Sequence, residues 1–245
     1  MHMKKIEWHI GCSGFHYKEW KEVFYPKGLA SNKWFRYYTE HFDTMESNVT
    51  FYRLPTLSML KKWHDESADG FSFCVKAPRL VTHYKRFNNV EAELMRFYDV
   101  IKEGLSDKLA CILYQLPPTL AYTAEKLDSI IAALDPSLNN VLEFRHESWW
   151  NKEVYRMLEK HSITFCCISH PKLPDDIICT SPLFYFRFHG VPKLFYSAYE
   201  HKYLDSIIKK IKKEKDIKKA YIYFNNTAGP GAIENAGYIK HIIMK

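Results

Sequence analysis

Eight short apolar runs recur along this chain, separated by amphipathic stretches, and that alternation restricts the folds open to it more than any other feature. The runs cover 7–12, 44–49, 71–76, 109–115, 140–146, 164–169, 184–189 and 219–225. Between most of them apolar residues return at helical spacing, as in Val90, Leu94, Phe97, Tyr98, Ile101 and Leu105, or Leu127, Ile130, Ile131 and Leu134. Strands separated by helical crossovers build a parallel sheet, and eight such units in 245 residues match a (β/α)8 TIM barrel of the α/β class. The competing arrangement, a doubly wound open sheet, usually has fewer strands and an early Gly-rich phosphate turn. No linker, internal repeat or low-complexity tract interrupts the pattern, so 1–245 reads as a single barrel domain.

Alternation within the strands then assigns faces. In Phe184-Tyr185-Phe186-Arg187-Phe188-His189 the three Phe share one face, and Tyr185, Arg187 and His189 share the other. With the Phe under the helices, the polar set points at the barrel axis. The same logic sends Leu142 and Phe144 outward and leaves Glu143 and Arg145 inward, with His146 following. Glu46 and Asn48 share a face of the second strand, Lys76 ends the third, Gln115 ends the fourth, and Asn225-Asn226 end the eighth. These side chains form a ring at the C-terminal ends of the strands, where TIM barrels build their sites. Among them Glu46 and Glu143 stand against Lys76, Arg145 and Arg187, so the ring is mildly cationic.

Several of these segments resemble the YecE-like family, known as domain of unknown function 72. They are Ile10-Gly11-Cys12-Ser13-Gly14-Phe15, the run Glu46 to Pro55, Phe73 to Arg79, Thr82-His83, Gln115-Leu116-Pro117-Pro118, Glu143 to Trp149, Arg187-Phe188-His189-Gly190 and Tyr223-Phe224-Asn225-Asn226. The resemblance covers almost the whole chain in order. It implies a TIM barrel and no settled reaction, because the family is uncharacterised. Two places depart from the family pattern: Ser169-His170-Pro171, where an acid is expected after the sixth strand, and the proline within Ala228-Gly229-Pro230-Gly231-Ala232.

The ring suggests chemistry. Glu143 and Glu46 are the candidate acid/base pair, with His189 beside them. Glycosidases use two carboxylates, about 5 Å apart for retention and about 6.5–9.5 Å for inversion. The second and fifth strands lie three apart around the ring, which favours the wider gap. The alternative reading makes both acids partners of Arg145, Arg187 or Lys76 that hold the mouth together, as buried acids usually are. Candidate substrate-binding residues are Asn48, Lys76, His83, Gln115, Arg145, His146, Tyr185, Arg187, Asn225, Asn226, Gly229 and Gly231. The last four belong to the loop after the eighth strand. Together with Arg187 and His189 that loop is placed to hold a phosphate, and its glycines let backbone N–H groups approach an anion. No metal is expected: no histidine pair has metal spacing, and three cations line the ring. No cofactor is expected either. Cys12, close to Ser13, is read as a small residue in a tight turn in preference to a nucleophile.

Charge and composition narrow the partners. Lys plus Arg number 35 against 28 acids, a net +7. Between Lys209 and Lys219 seven Lys meet only Glu214 and Asp216, so +5 of that total falls on one segment, which continues the stripe Tyr203, Leu204, Ile207, Ile208 and Ile211 and reads as a solvated helix face. No apolar run is long enough for a bilayer span, and Met1 to Trp8 lacks a signal core. The six cysteines form no Cys-x-x-Cys pair and mostly lie in strand-like runs, as reduced core residues do, so a cytoplasmic location is expected. The leading expectation is an enzyme acting on a small anionic molecule, phosphate- or carboxylate-bearing, with an acidic sugar among the options. The alternative is a nucleic-acid binder or nuclease using the same mouth. Its aromatic loops would stack bases, while Arg79, Lys85 and Arg86 reach phosphates.

Overall fold

The computed structural model describes residues 6–244; the basic start at 1–5 lies outside them. The eight runs become β1 (Glu7–Cys12), β2 (Thr44–Ser47), β3 (Ser72–Lys76), β4 (Leu109–Gln115), β5 (Asn140–Glu143), β6 (Thr164–Ser169), β7 (Leu183–Phe188) and β8 (Lys219–Phe224). All are parallel in the order β1-β8-β7-β6-β5-β4-β3-β2. This is the expected single eight-stranded parallel barrel. Around it run α1 (Trp34–His41), α2 (Val49–Tyr52), α3 (Leu57–Glu66), α4 (Glu91–Leu105), α5 (Ala124–Ala133), α6 (Lys152–Lys160), α7 (His201–Ile211) and α8 (Gly231–Ile243). Among the described residues no helix is long and apolar enough to cross a membrane.

The predicted faces hold. Phe184, Phe186, Phe188, Leu142, Phe144, Phe73 and Phe224 are buried in one cluster with the helix stripes. Tyr185, Tyr223, Cys74, Cys111, Cys166 and Val141 form a separate cluster inside the barrel. α7 buries Leu204, Ile207, Ile208 and Ile211 and leaves Lys209 and Lys210 exposed, so its lysines are an outer face. β5 is shorter than its apolar run, stopping at Glu143, because the His146 side chain accepts the Ser148 N–H and turns the chain into a short 3-10 helix. Between β6 and β7 there is a strap instead of a helix. Pro171, Pro174 and Pro182 prevent helical pairing there. The Ile178 N–H donates to Cys167 Sγ at 3.2 Å, and Thr180 Oγ1 accepts from the Phe165 N–H at 2.8 Å, which fixes the strap to the barrel wall.

The seam between β1 and β2 lacks a regular ladder and is joined by an isolated bridge, Ser13 with Glu46. A side chain supplies the missing connection. The Tyr38 hydroxyl, from α1, accepts the Cys12 N–H at 2.8 Å and donates to the Thr44 carbonyl at 3.0 Å. Gly11 makes room for it, since a Cβ there would fall on the Thr44 carbonyl oxygen and meet the Tyr38 hydroxyl. Tyr38→Phe leaves a buried donor and a buried acceptor unpaired, and urea unfolding should show a loss of about 1–3 kcal/mol. A loss below about 0.5 kcal/mol, within the range of neutral surface changes, would mean that the hydroxyl does not close the seam.

Candidate active site

Strand ends and the residues just after them deliver polar side chains to the C-terminal mouth, and the guanidinium of Arg187 bridges the two acids among them. Its Nη2 donates to Glu46 Oε1 at 2.6 Å and its Nη1 to Glu143 Oε2 at 2.5 Å. The remaining oxygens are also taken. Glu46 Oε1 accepts from Ser13 Oγ at 2.6 Å, and its Oε2 from the Tyr185 hydroxyl at 2.6 Å. Glu143 Oε1 meets Arg145 Nε, and lies 3.2 Å from His189 Nε2. Glu46, Glu143 and His189 are 0% exposed, and Arg187 is 1% exposed. The two guanidiniums hold the Glu143 carboxyl well below the usual carboxylate range although burial pushes it up. His189 has the Asn225 amide on Nδ1 at 2.9 Å and Arg145 Nη2 near Nε2 at 3.1 Å. Burial, and after it the Arg145 charge, keep its imidazole neutral.

The gap between the two carboxylates is thus filled by a guanidinium. A glycosidase-like pair needs that space for the glycosidic bond and a water. The three residues expected to do acid/base work are buried and hydrogen-bonded to their neighbours, an arrangement that fits the alternative reading of struts. Tyr185 shares their position, its hydroxyl kept protonated by burial and by the neighbouring Glu46.

Lys76 is built differently. It ends β3, is 8% exposed, and forms no ion pair with a described residue. Its Nζ donates to Gln115 Oε1 at 2.7 Å and sits 4.0 Å from the centre of the Phe51 ring. α2 brings Phe51 there, because Thr50 Oγ1 donates to the Lys76 carbonyl at 2.6 Å and ties the short helix to the end of β3. Burial, and then the Arg187 charge, bring the Lys76 ammonium down to about 7. His83 stands edge-on to the same Phe51, with ring centres 5.0 Å apart. Burial and the nearby Lys76 and Arg145 lower His83 to about 4. On the opposite side His170, 6.0 Å from His189 between ring centres, is lowered to about 4 by burial and by Arg145.

The other expected contacts divide. Gln115 and Arg145 reach the mouth, and Arg145 Nη1 makes no hydrogen bond to a described residue. Asn48 precedes α2 and has its buried Oδ1 unpaired. His146 is a helix cap, with its Nδ1 2.8 Å from Ser148 Oγ. Asn226 is fully buried and donates to the Ser197 carbonyl at 3.0 Å, joining the loops after β7 and β8. Gly229 accepts from Trp20 Nε1 at 3.1 Å, and Gly231 opens α8 against Ala198. Cys12 faces outward, toward the Ala232 carbonyl, and burial pushes its thiol up, which removes it as a nucleophile. Ser13, Phe51 and His170 also line the mouth and are not among the candidate site residues expected from the sequence. Strand alternation would have found Ser13, since His9, Gly11 and Ser13 share the face opposite Ile10 and Cys12. Phe51, on the short helix α2, and His170, on the loop after β6, lie outside the strands, where alternation carries no signal.

Known proteins place this geometry in a family. The model for "Protein of unknown function DUF72" matches residues 9–245. The chain belongs to that family. A DUF72 protein from Thermotoga maritima MSB8 superposes with a TM-score of 0.88 at 26% identity, covering 98% of this chain and 100% of that one. A second, from Enterococcus faecalis V583, gives 0.80 at 19% identity over 99% of each and supports the fold alone. The UPF0759 protein YunF of Bacillus subtilis strain 168 is 29% identical over 139 residues, 54% of this chain and 49% of that protein. The UPF0759 protein YecE of Escherichia coli K12 is 26% identical over 116 residues, 47% of this chain and 42% of that protein. The chain therefore spans about half the length of the curated relatives it matches.

Two outcomes follow from the mouth. Glu143→Gln removes the charge shared by Arg187 and Arg145, and breaking such a buried pair should cost on the order of 3–5 kcal/mol in denaturant unfolding. A variant as stable as the parent would show that Glu143 is not a strut. The second concerns pH. The unfolded chain keeps the Lys76 proton to about pH 10.4, whereas the folded chain releases it near 7, so this group makes stability rise with pH above 7. Buried thiols work the other way above about pH 8.5, the ordinary cysteine value. Between pH 7 and 8 the parent should gain up to about 1 kcal/mol relative to Lys76→Met. Parallel pH curves would overturn the assignment.

Proposed function

We propose that this DUF72 protein is an enzyme acting on a small anionic molecule, phosphate- or carboxylate-bearing, held at the C-terminal mouth of the barrel. One observation carries the reading. The charges of Glu46 and Glu143 are matched by Arg187 and Arg145, which leaves Lys76 as the basic group of the mouth with no ion-pair partner among the described residues. An incoming anion supplies what Lys76 lacks. Arg145 Nη1 and the neutral ring of His83 lie near Lys76, and His170 lies beside Arg145 on the other side of the mouth, so each can offer a further hydrogen bond. In this reading Glu46, Glu143 and His189 are positioning residues that fix the two guanidiniums, and the ligand meets Lys76, Arg145, Gln115 and His83.

A second reading draws on a different observation. At the rim, Arg79 lies between two exposed tyrosines, 5.7 Å from the Tyr52 ring and 5.4 Å from the Tyr84 ring. Such a stack suits an unpaired nucleobase and so supports the nucleic-acid alternative. Thermal shift with inorganic phosphate, simple carboxylates and sugar phosphates separates the two. A ligand present at 100 times its Kd should add about 2.7 kcal/mol of stability to the parent and none to Lys76→Met. No shift with any small anion, combined with oligonucleotide binding that weakens steeply as salt rises, would favour the second reading instead.

A further inference from the structure

We propose that Lys76 is a catalytic nucleophile, an amine that captures the carbonyl group of an aldehyde or ketone substrate as an imine. The inference rests on the anionic-ligand reading above and specifies its substrate class: a small carbonyl compound whose phosphate or carboxylate is held by Arg145 Nη1 beside Lys76, leaving the Lys76 nitrogen to the carbonyl group.

The chain contains its own control for how it buries an ammonium. Lys108 is as enclosed as Lys76, and its three N–H donors have three acceptors: the His64 carbonyl at 2.6 Å, the Ser67 carbonyl at 2.8 Å and Ser67 Oγ at 3.0 Å. Lys76 has one acceptor, Gln115 Oε1, and an aromatic face. That set leaves one hydrogen-bonding position of the nitrogen without a protein partner. As a neutral amine, Lys76 would give one N–H to the amide oxygen and one to the Phe51 ring and keep its lone pair for a substrate. Around it stand Glu46 on β2, His83 after β3, Glu143 and Arg145 on and after β5, and Arg187 on β7. The two acids among them are bonded to guanidiniums and neither pairs with Lys76; their charges still favour the ammonium, but burial and Arg187 outweigh them. A desolvated lysine beside other cations is the arrangement that makes a nitrogen nucleophilic at neutral pH.

The step balances without any redox partner. The Nζ lone pair forms a bond to the carbonyl carbon, and the carbonyl oxygen takes up a proton as the nitrogen gives one up. Loss of the C–O bond with a second proton from nitrogen releases one water and leaves the C=N bond. One amine and one carbonyl give one imine and one water.

Pyridoxal 5′-phosphate, a phosphate-bearing aldehyde, and pyridoxal, the same aldehyde without phosphate, serve as probes of the whole chain at pH 7, with borohydride reduction and peptide mass mapping. With its ammonium near 7, about half of Lys76 is neutral at that pH, roughly a thousand-fold more than a surface lysine. At low aldehyde concentration a single reduced adduct should map to Lys76, be lost in Lys76→Arg, and increase about two-fold as the pH is raised to 8. Inorganic phosphate should compete with the phosphorylated probe. Adducts confined to the lysines of α7 and the following loop, with Lys76 unmodified, would overturn the inference. The two readings fail separately. If phosphate binds and Lys76 stays unlabelled, the nucleophile falls and the anion site stands. If both probes label Lys76 equally and phosphate does not compete, the amine stands and the anion site falls.

Discussion

The mouth of this barrel depends on one guanidinium. Arg187, from β7, reaches across the axis to Glu46 on β2 and Glu143 on β5, and so ties together strands that are far apart around the ring. A charge that deep in a protein has to be paired, since an isolated ion loses several kcal/mol of hydration on burial. Here the pairing is nearly complete: Ser13 and Tyr185 fill the Glu46 oxygens, and Arg145 and His189 meet Glu143. The network also reinforces the weakest part of the sheet. Ser13 and Glu46 form the isolated bridge across the β1–β2 seam, so the hydrogen bonds that fix Arg187 also help close the barrel.

That saturation changes which side chains remain for chemistry. Two carboxylates in a barrel mouth invite an acid/base reading; here a guanidinium lies between them and every carboxylate oxygen has at least one hydrogen-bond donor. Lys76 lies close enough to feel Arg187 and is too enclosed for water to hold its charge. The relatives agree on the scaffold: this DUF72 chain and the Thermotoga maritima protein share the barrel over essentially their full lengths. The scaffold sets positions for side chains, and the reaction follows from the side chains found there.

The fold was legible in the residues because strand alternation and helical spacing are local properties. Phe184, Phe186 and Phe188 could only share a face, and a face of three Phe belongs under helices, so Tyr185, Arg187 and His189 had to point inward. The same argument put Glu46, Lys76, Gln115 and Glu143 at one end of the barrel before any coordinates. It erred where local patterning gives way to individual hydrogen bonds. β5 stops at Glu143 because His146 caps the next turn, and the β6–β7 crossover is a strap because its prolines cannot pair in a helix.

What the sequence alone determined, then, was the barrel, its inward residues and the end where they gather. Only the tertiary structure decided which of those residues face each other. Glu46, Glu143, Lys76, Arg145 and Arg187 look equivalent on paper as two acids and three bases. Their roles separate through distances between strands that are remote in the chain: Arg187 reaches both acids, Arg145 reaches one, and Lys76 reaches neither. Pairing energy depends on separation and burial, and neither is encoded in the spacing of residues along a single strand.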